Sequence, residues 1–270
     1  MAFLILHHRL PVAVLLLLAV VLLAGCGSLG DRGVAGDDPE AVYREAKADI
    51  ASGAYDAAIR KLNRVEALGA GTLLTQQAQL DLAFVQWKTG EREAAIATLD
   101  RFIRFNPSSP ALDYALYLRG LVNFNDNLGL FGRLARQDLA ERDQQAARES
   151  WQSFRQLVEQ FPESRYAADA RVRMDFIVNS LAAHELHVAR HYLRRGAFVA
   201  AANRAQRAVA DFQTAPAAEE ALYILALSYD RLELPELAEG ARRVLRASFP
   251  DSRFLTEGLR PPDRPWWQFW

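Results

Sequence analysis

The sequence predicts an all-α fold, a solenoid built from five successive helix hairpins. One observation is the stretch from Gly90 to Gly120, GEREAAIATLDRFIRFNPSSPALDYALYLRG. Ala95, Leu99, Phe102 and Ile103 fall at helical spacing, the helix stops before Asn106-Pro107, and a second periodic run (Leu112, Ala115, Leu116, Leu118) begins beyond Pro110. The other is that this pattern recurs. Counted from Ala95, a small residue stands twelve before it (Ala83), large apolar residues four and seven after it (Leu99, Phe102) and a proline twelve after it (Pro107). The same ruler on Ala58 finds Ala46, Leu62, Val65 and Ala70. On Ala201 it finds Ala189, Ala205, Ala208 and Gln213, and on Ala238 it finds Ala226, Arg242, Leu245 and Pro250. Ser150 marks a fifth second-helix with Phe154, Leu157 and Pro162. A recurring small residue lets paired helices approach closely, and the bulky pair fills the layer between neighbours.

The chain opens with a short segment ending in Arg9, an apolar run from Leu10 to Leu23, and Ala24-Gly25-Cys26. The run is shorter than the ~20 residues a bilayer span needs, and small residues before a single cysteine suit processing. Residues 1–25 therefore read as a removable signal. Leu23-Ala24-Gly25-Cys26 resembles the lipobox of bacterial lipoproteins, which implies diacylglycerol on the Cys26 sulfur, cleavage before it and acylation of the new amine. An N-terminal anchor helix with an incidental cysteine is the alternative. In the same family of anchors, Gly27 rather than aspartate after the cysteine implies the periplasmic face of the outer membrane.

Cys26 is the one cysteine of the chain, so no internal disulfide is available and stability must come from packing. With 51% apolar residues there is material for a core distributed along the array. A formal net charge of −1 gives no bulk attraction to nucleic acid.

Residues 26–38 are rich in glycine and aspartate without apolar period and read as a flexible tether. Asp37 or Asp38 is placed to cap a helix starting at Pro39. The folded body is expected over 39–253. Repeat one turns at Gly53-Ala54-Tyr55 and repeat two at Gly90, glycine allowing the left-handed backbone that ends a helix. From 124 to 143 the period is lost inside repeat three, by about five helical turns of inserted sequence. Its Leu128, Leu130, Phe131 and Leu134 make either a partner-facing patch or a fold-back onto repeat three. No breaker occurs over about 165–195, which predicts an extended first helix in repeat four. Residues 254–270 end in WWQFW behind Pro261, Pro262 and Pro265, an aromatic tail that either binds an interface or groove or caps the last repeat.

Three of the five histidines, His184, His187 and His191, sit in HELHVARH. His187 and His191 are four apart, but His184 and His191 lie about 10 Å apart along a helix, and HExxH is not spelled. The spacing favours polar helix-face histidines over a metal site. No GxSxG or glycine-rich phosphate loop appears, and acidic residues follow solvated-face spacing. Neither an enzyme nor a cofactor other than the lipid on Cys26 is expected.

DRFIRFNPSSPALDYALYLRGL (Asp100 to Leu121), Phe131-Gly132, Arg142-Asp143 before Ala146, FPESRY (Phe161 to Tyr166) and RGAFVAAANR (Arg195 to Arg204) resemble the BamD family of outer membrane protein assembly factors, over roughly Asp38 to Ser252. Two endings depart from that family: Glu66-Ala67-Leu68-Gly69-Ala70 lacks its aromatic-proline, and Gln213 stands where repeat four usually has proline. The resemblance implies a right-handed α-solenoid of about five tetratricopeptide-like hairpins, anchored through lipid. It implies a periplasmic scaffold that works with the BamA barrel protein and other Bam lipoproteins to insert β-barrel proteins into the outer membrane. Its C-terminal repeats would dock a POTRA domain of BamA, with Asn203, Arg204 and Arg207 as contact residues. Its N-terminal repeats would face unfolded barrel substrates. There Asp113, Tyr114, Tyr117 and Arg119 would meet a peptide's backbone and terminal carboxylate, unless the tyrosines are inter-repeat packing. A repeat lipoprotein serving secretin or pilus assembly or cell-wall handling is the alternative.

Overall fold

The computed structural model describes residues 38–69, 71–124 and 144–259. The signal segment, Cys26, the tether up to residue 37, the insertion from 125 and WWQFW lie outside these residues. Ten α-helices follow one another among the described residues: α1 Pro39–Ser52, α2 Tyr55–Leu68, α3 Leu73–Lys88, α4 Arg92–Phe105, α5 Leu112–Asn123, α6 Gln144–Gln160, α7 Ala167–Arg194, α8 Phe198–Asp211, α9 Ala217–Arg231 and α10 Pro235–Ser248. The described residues are all-helical and pack as sequential hairpins, in two compact units that meet in sequence after Thr89.

The first unit holds α1, α2 and α3. Asp38 caps α1 by accepting from the Glu40 amide, Pro39 takes the first helical position, and Gly53 ends the helix at φ 78°. Val42, Ala46, Leu62, Val65, Ala78, Leu82 and Val85 form its core. Two polar links tie the helices outside it: Tyr43 donates to Asp81 at 2.7 Å, and Lys61 reaches Asp49 at 2.9 Å. The missing proline after α2 is replaced by hydroxyl capping. The Gly69 carbonyl accepts from both Thr72 and Thr75 side chains, and Thr72 then caps α3.

The second unit holds α4 to α10. The small and apolar repeat marks within it are buried: Ala95, Leu99, Phe102, Ser150, Phe154, Leu157, Ala201, Ala205, Ala208, Ala238 and Leu245, whereas Arg242, at the same mark as Leu99, is half-exposed and pairs with Asp230. Each fully buried Leu or Phe side chain contributes about 1.5–3 kcal/mol, so this one face of each helix holds the stack together. The α7 helix is 28 residues long. Its first half packs Ala170 and Ile177 with Phe154, Leu157 and Phe212, and its second half packs Leu186 and Ala189 against the alanines of α8 and Ile224 of α9. Gln213 costs the next turn little, because Phe212 is buried and its carbonyl accepts from the Ala215 amide, with Pro216 taking up the turn just before α9. After α10 the chain makes a 3-10 turn at Arg253–Leu255, and buried Phe254 stacks on Tyr223 at 5.6 Å. The end of the last hairpin is thereby covered from within the described chain.

Candidate functional site

Two surfaces of the second unit carry the residues singled out from sequence. The first lies where α5 meets the start of α7. Asp113, Tyr114 and Tyr117 occupy positions i, i+1 and i+4 of α5 and so share a face. Tyr117 stacks on Tyr166 with centroids 4.7 Å apart, and Tyr114 sits 5.6 Å from the same ring. Asp113 accepts from Ser164, and Tyr117 donates to Asp169, both at 2.7 Å. Arg173, one turn further along α7, donates to Asp169 at 2.6 Å and lies over the Phe124 ring at 4.9 Å. Arg165 covers the outer edge of the cluster, 4.7 Å from the Tyr166 centroid.

The electrostatics push Asp169 and Tyr117 in opposite directions. Burial pushes the Asp169 carboxyl up, but the hydrogen bonds from Arg173 and Tyr117 outweigh it and leave it below the usual carboxylate range. Burial first, and the adjacent carboxylate second, push the Tyr117 phenol up. Tyr117 is therefore a neutral donor beside a charged acceptor, with half-buried aromatic rings on either side. Aromatic faces, arginines and a carboxylate in one strip are suited to an extended peptide carrying apolar and polar side chains in alternation.

Arg119 does not join them. Two residues beyond Tyr117, it turns about 200° around the helix, where it donates to Asp100 of α4 at 2.6 Å and to Ser153 of α6 at 2.7 Å. The sequence reading of the face omitted Tyr166, Asp169 and Arg173. Their spacing of i, i+3 and i+7 at the start of α7 is the signal that marks them as one face.

The second surface is α8. Asn203 and Arg207 are exposed one turn apart. Arg204 is turned towards the body: its Nη1 donates to Glu185 of α7 at 3.1 Å, and the Glu185 side chain is 5% exposed against 33% for Arg204. A second clasp joins α7 and α9, where Arg190 donates through two nitrogens to Glu220. On α7, His187 and His191 are exposed. No three His, Cys, Asp or Glu side chains gather in metal-binding geometry among the described residues.

Comparison with known proteins gives one consistent family. A family model described as YfiO, outer membrane lipoprotein, matches residues 36–245. The chain is 44% identical over 231 residues to the outer membrane protein assembly factor BamD of Neisseria meningitidis serogroup A, covering 86% of each chain. It is 33% identical over 230 residues to the same factor of Vibrio cholerae, covering 85% of this chain and 95% of that one. Among solved structures, the MamA protein aligns with a TM-score of 0.39 and 15% identity over 84% of this chain and 100% of that one, too low a likeness to bear on either surface.

Proposed function

The chain belongs to the YfiO family of outer membrane lipoproteins, the family of the BamD assembly factors, and from that premise we propose how its surfaces serve the assembly of β-barrel proteins. It is an assembly factor and not an enzyme, a component of the outer membrane β-barrel assembly machinery. The tyrosine face of α5 and α7 engages unfolded outer membrane substrates. The face of α8 that exposes Asn203 and Arg207, with Arg204 at its edge and clasped by Glu185, docks a periplasmic POTRA domain of BamA, with other Bam lipoproteins completing the assembly. Cys26 carries the acyl chains that hold the scaffold at the periplasmic face.

The observation that carries the substrate reading is the paired stack of Tyr114 and Tyr117 on Tyr166 beside the Tyr117–Asp169–Arg173 chain of hydrogen bonds. It offers flat rings and directional polar groups within one strip, which a purely structural contact between two helices does not require. Photo-crosslinkers at Tyr114 and at exposed Ala168 are expected to capture C-terminal peptides of barrel proteins, and a crosslinker at exposed Val244 of α10 is not. Capture at Val244 alone reverses the assignment.

The anchor has its own test. Several acyl chains, each contributing about 0.8 kcal/mol per buried methylene, hold a protein where one chain binds reversibly. Cys26→Ala is expected to appear in the soluble fraction or as unprocessed precursor. Mass spectrometry that finds an unmodified mature terminus beyond residue 26 rules the anchor out.

A further inference from the structure

A groove of about 240 Å³ opens between α6, α7 and the end of α8, on residues that neither surface above uses. Trp151, Val178, Leu181 and Phe212 line it, and exposed Arg148 and Asp211 stand at its rim. Leu181 and Phe212 belong to the core cluster that contains Phe154 and Leu157, and Trp151 and Val178 pack against that cluster. The groove is therefore an opening into the core, unlike single apolar residues scattered over a surface. A dry apolar cavity of about 150 Å³ already holds a benzene, so one large aromatic side chain fits here.

The occupant follows from where the described chain stops. Leu259 packs against Leu222, Leu245 and Phe254, and so does Val209 of α8. Phe212 comes three residues after Val209 at the end of the same helix, so the chain leaves the last hairpin on the α8 side of the groove. Beyond it Pro261, Pro262 and Pro265 favour an extended spacer of about 3.1 Å per residue, which lets Trp266 stand up to about 22 Å from Leu259. Trp266, Trp267, Phe269 and Trp270 then supply four aromatic rings. The end of the last hairpin does not need them, since Phe254 and Leu259 already cover it. The groove rim carries one charge of each sign, neither in an ion pair among the described residues, and the spacer carries both signs as well in Arg260, Asp263 and Arg264. We propose that the aromatic run 266–270 docks into this groove of its own chain, one ring entering among Trp151, Val178 and Phe212.

Cys26 is the one native cysteine, so introduced pairs report on the tail directly. The full chain carrying Gln152→Cys and Gln268→Cys is reconstituted in vesicles of phosphatidylethanolamine and phosphatidylglycerol and oxidised, and the joined peptides are identified by mass spectrometry. Val199→Cys with Gln268→Cys is the comparison, because Val199 is exposed on α8 and lies about 20 Å along the helix from Phe212, outside the groove but within reach of a loose tail. The Gln152→Cys disulfide is expected to form within one molecule, about tenfold faster than the Val199→Cys disulfide. Trp266→Ser with Trp267→Ser is expected to bring the two rates together, and so is Val178→Asp in the groove. If Val178→Asp melts too low to be used, the tail change decides alone. Equal rates with the tryptophans in place overturn the proposal and put the tail elsewhere, the vesicle surface included. A preference for Gln152→Cys that survives the loss of both tryptophans overturns it too. So does a disulfide that joins two molecules, which assigns the groove to the tail of a second copy. None of these substitutions alters a residue of the tyrosine face, so substrate crosslinking there is decided separately.

Discussion

Gly120→Val is expected to destabilise the second unit by about 3 kcal/mol, the upper end of the cost of forcing extra carbon into a packed core. A Cβ at Gly120 would stand 2.4, 2.6 and 2.7 Å from Cε1, Cδ1 and Cζ of Phe154, where carbon atoms rest at about 3.5–4.0 Å. Something must therefore move by more than about 1 Å. The ring has nowhere to go, since Phe154 is fully buried and lies 6.0 Å from Tyr117 and 6.3 Å from Phe124, centroid to centroid. The helices cannot part cheaply either, because Ser150 donates to the Gly120 carbonyl at 2.9 Å across the same contact. Thermal unfolding is expected to shift down by about 6–12 °C for a body of this size. Combining Gly120→Ala with Phe154→Leu is expected to cost at least about 1 kcal/mol less than the sum of the two changes, because the leucine vacates the space the new methyl needs. A Gly120→Val protein that melts like wild type would mean that α5 and α6 are not in this contact. Because Phe154 also supports Tyr117, the valine variant is expected to lose peptide crosslinking at Tyr114 as well.

Arg204→Glu is expected to have an effect of similar size for a different reason. The substitution removes the hydrogen-bonded cation of Glu185, a carboxylate that is almost wholly buried, and places a second negative charge beside it. Breaking a buried pair from one side costs about 3–5 kcal/mol. Since Arg204 keeps a third of its side chain in solvent, screening brings the expected loss to roughly 2–4 kcal/mol. This changes what a docking experiment at Arg204 reports. Weakened association of Arg204→Glu with the BamA POTRA domain will combine lost contact with loosened packing of α7 on α8. Two controls separate them. Arg204→Gln with Glu185→Gln removes both charges, and is expected to recover most of the stability while still lacking the arginine. Arg207→Glu changes an exposed residue on the same helix and is expected to leave the melting temperature within about 0.5 kcal/mol of wild type. If Arg207→Glu and the glutamine pair both bind the POTRA domain normally, the docking face is not on α8. If Arg204→Glu alone melts like wild type, the Glu185 clasp is not formed in solution.

The repeat register was legible because it is a local property. A small residue at one mark with apolar residues four and seven further on fixes which stripe of a helix must leave water, whatever it packs against. That is why Ala58, Ala95, Ser150, Ala201 and Ala238 are all fully buried. The breaks were legible for the same reason: glycine at 53 and 90 adopts the positive φ that ends a helix, and Pro39 starts one. The family strings pointed to the lipoprotein family that the comparisons show, independently of tertiary detail.

The polar partnerships were decided by the tertiary structure alone. Tyr117 meets Asp169 from 52 residues away, Arg204 meets Glu185 from 19, and Arg119 leaves the tyrosine face for Asp100 and Ser153. Sequence spacing says on which side of its own helix a residue stands, but the partner of a long side chain depends on how far apart the neighbouring helices are and which of their turns lie level. Gly120 shows the limit most directly. As a letter it only closes the stretch that begins at Gly90, and only the Phe154 ring, 2.4 to 2.7 Å from where its Cβ would stand, makes it a position where no side chain fits.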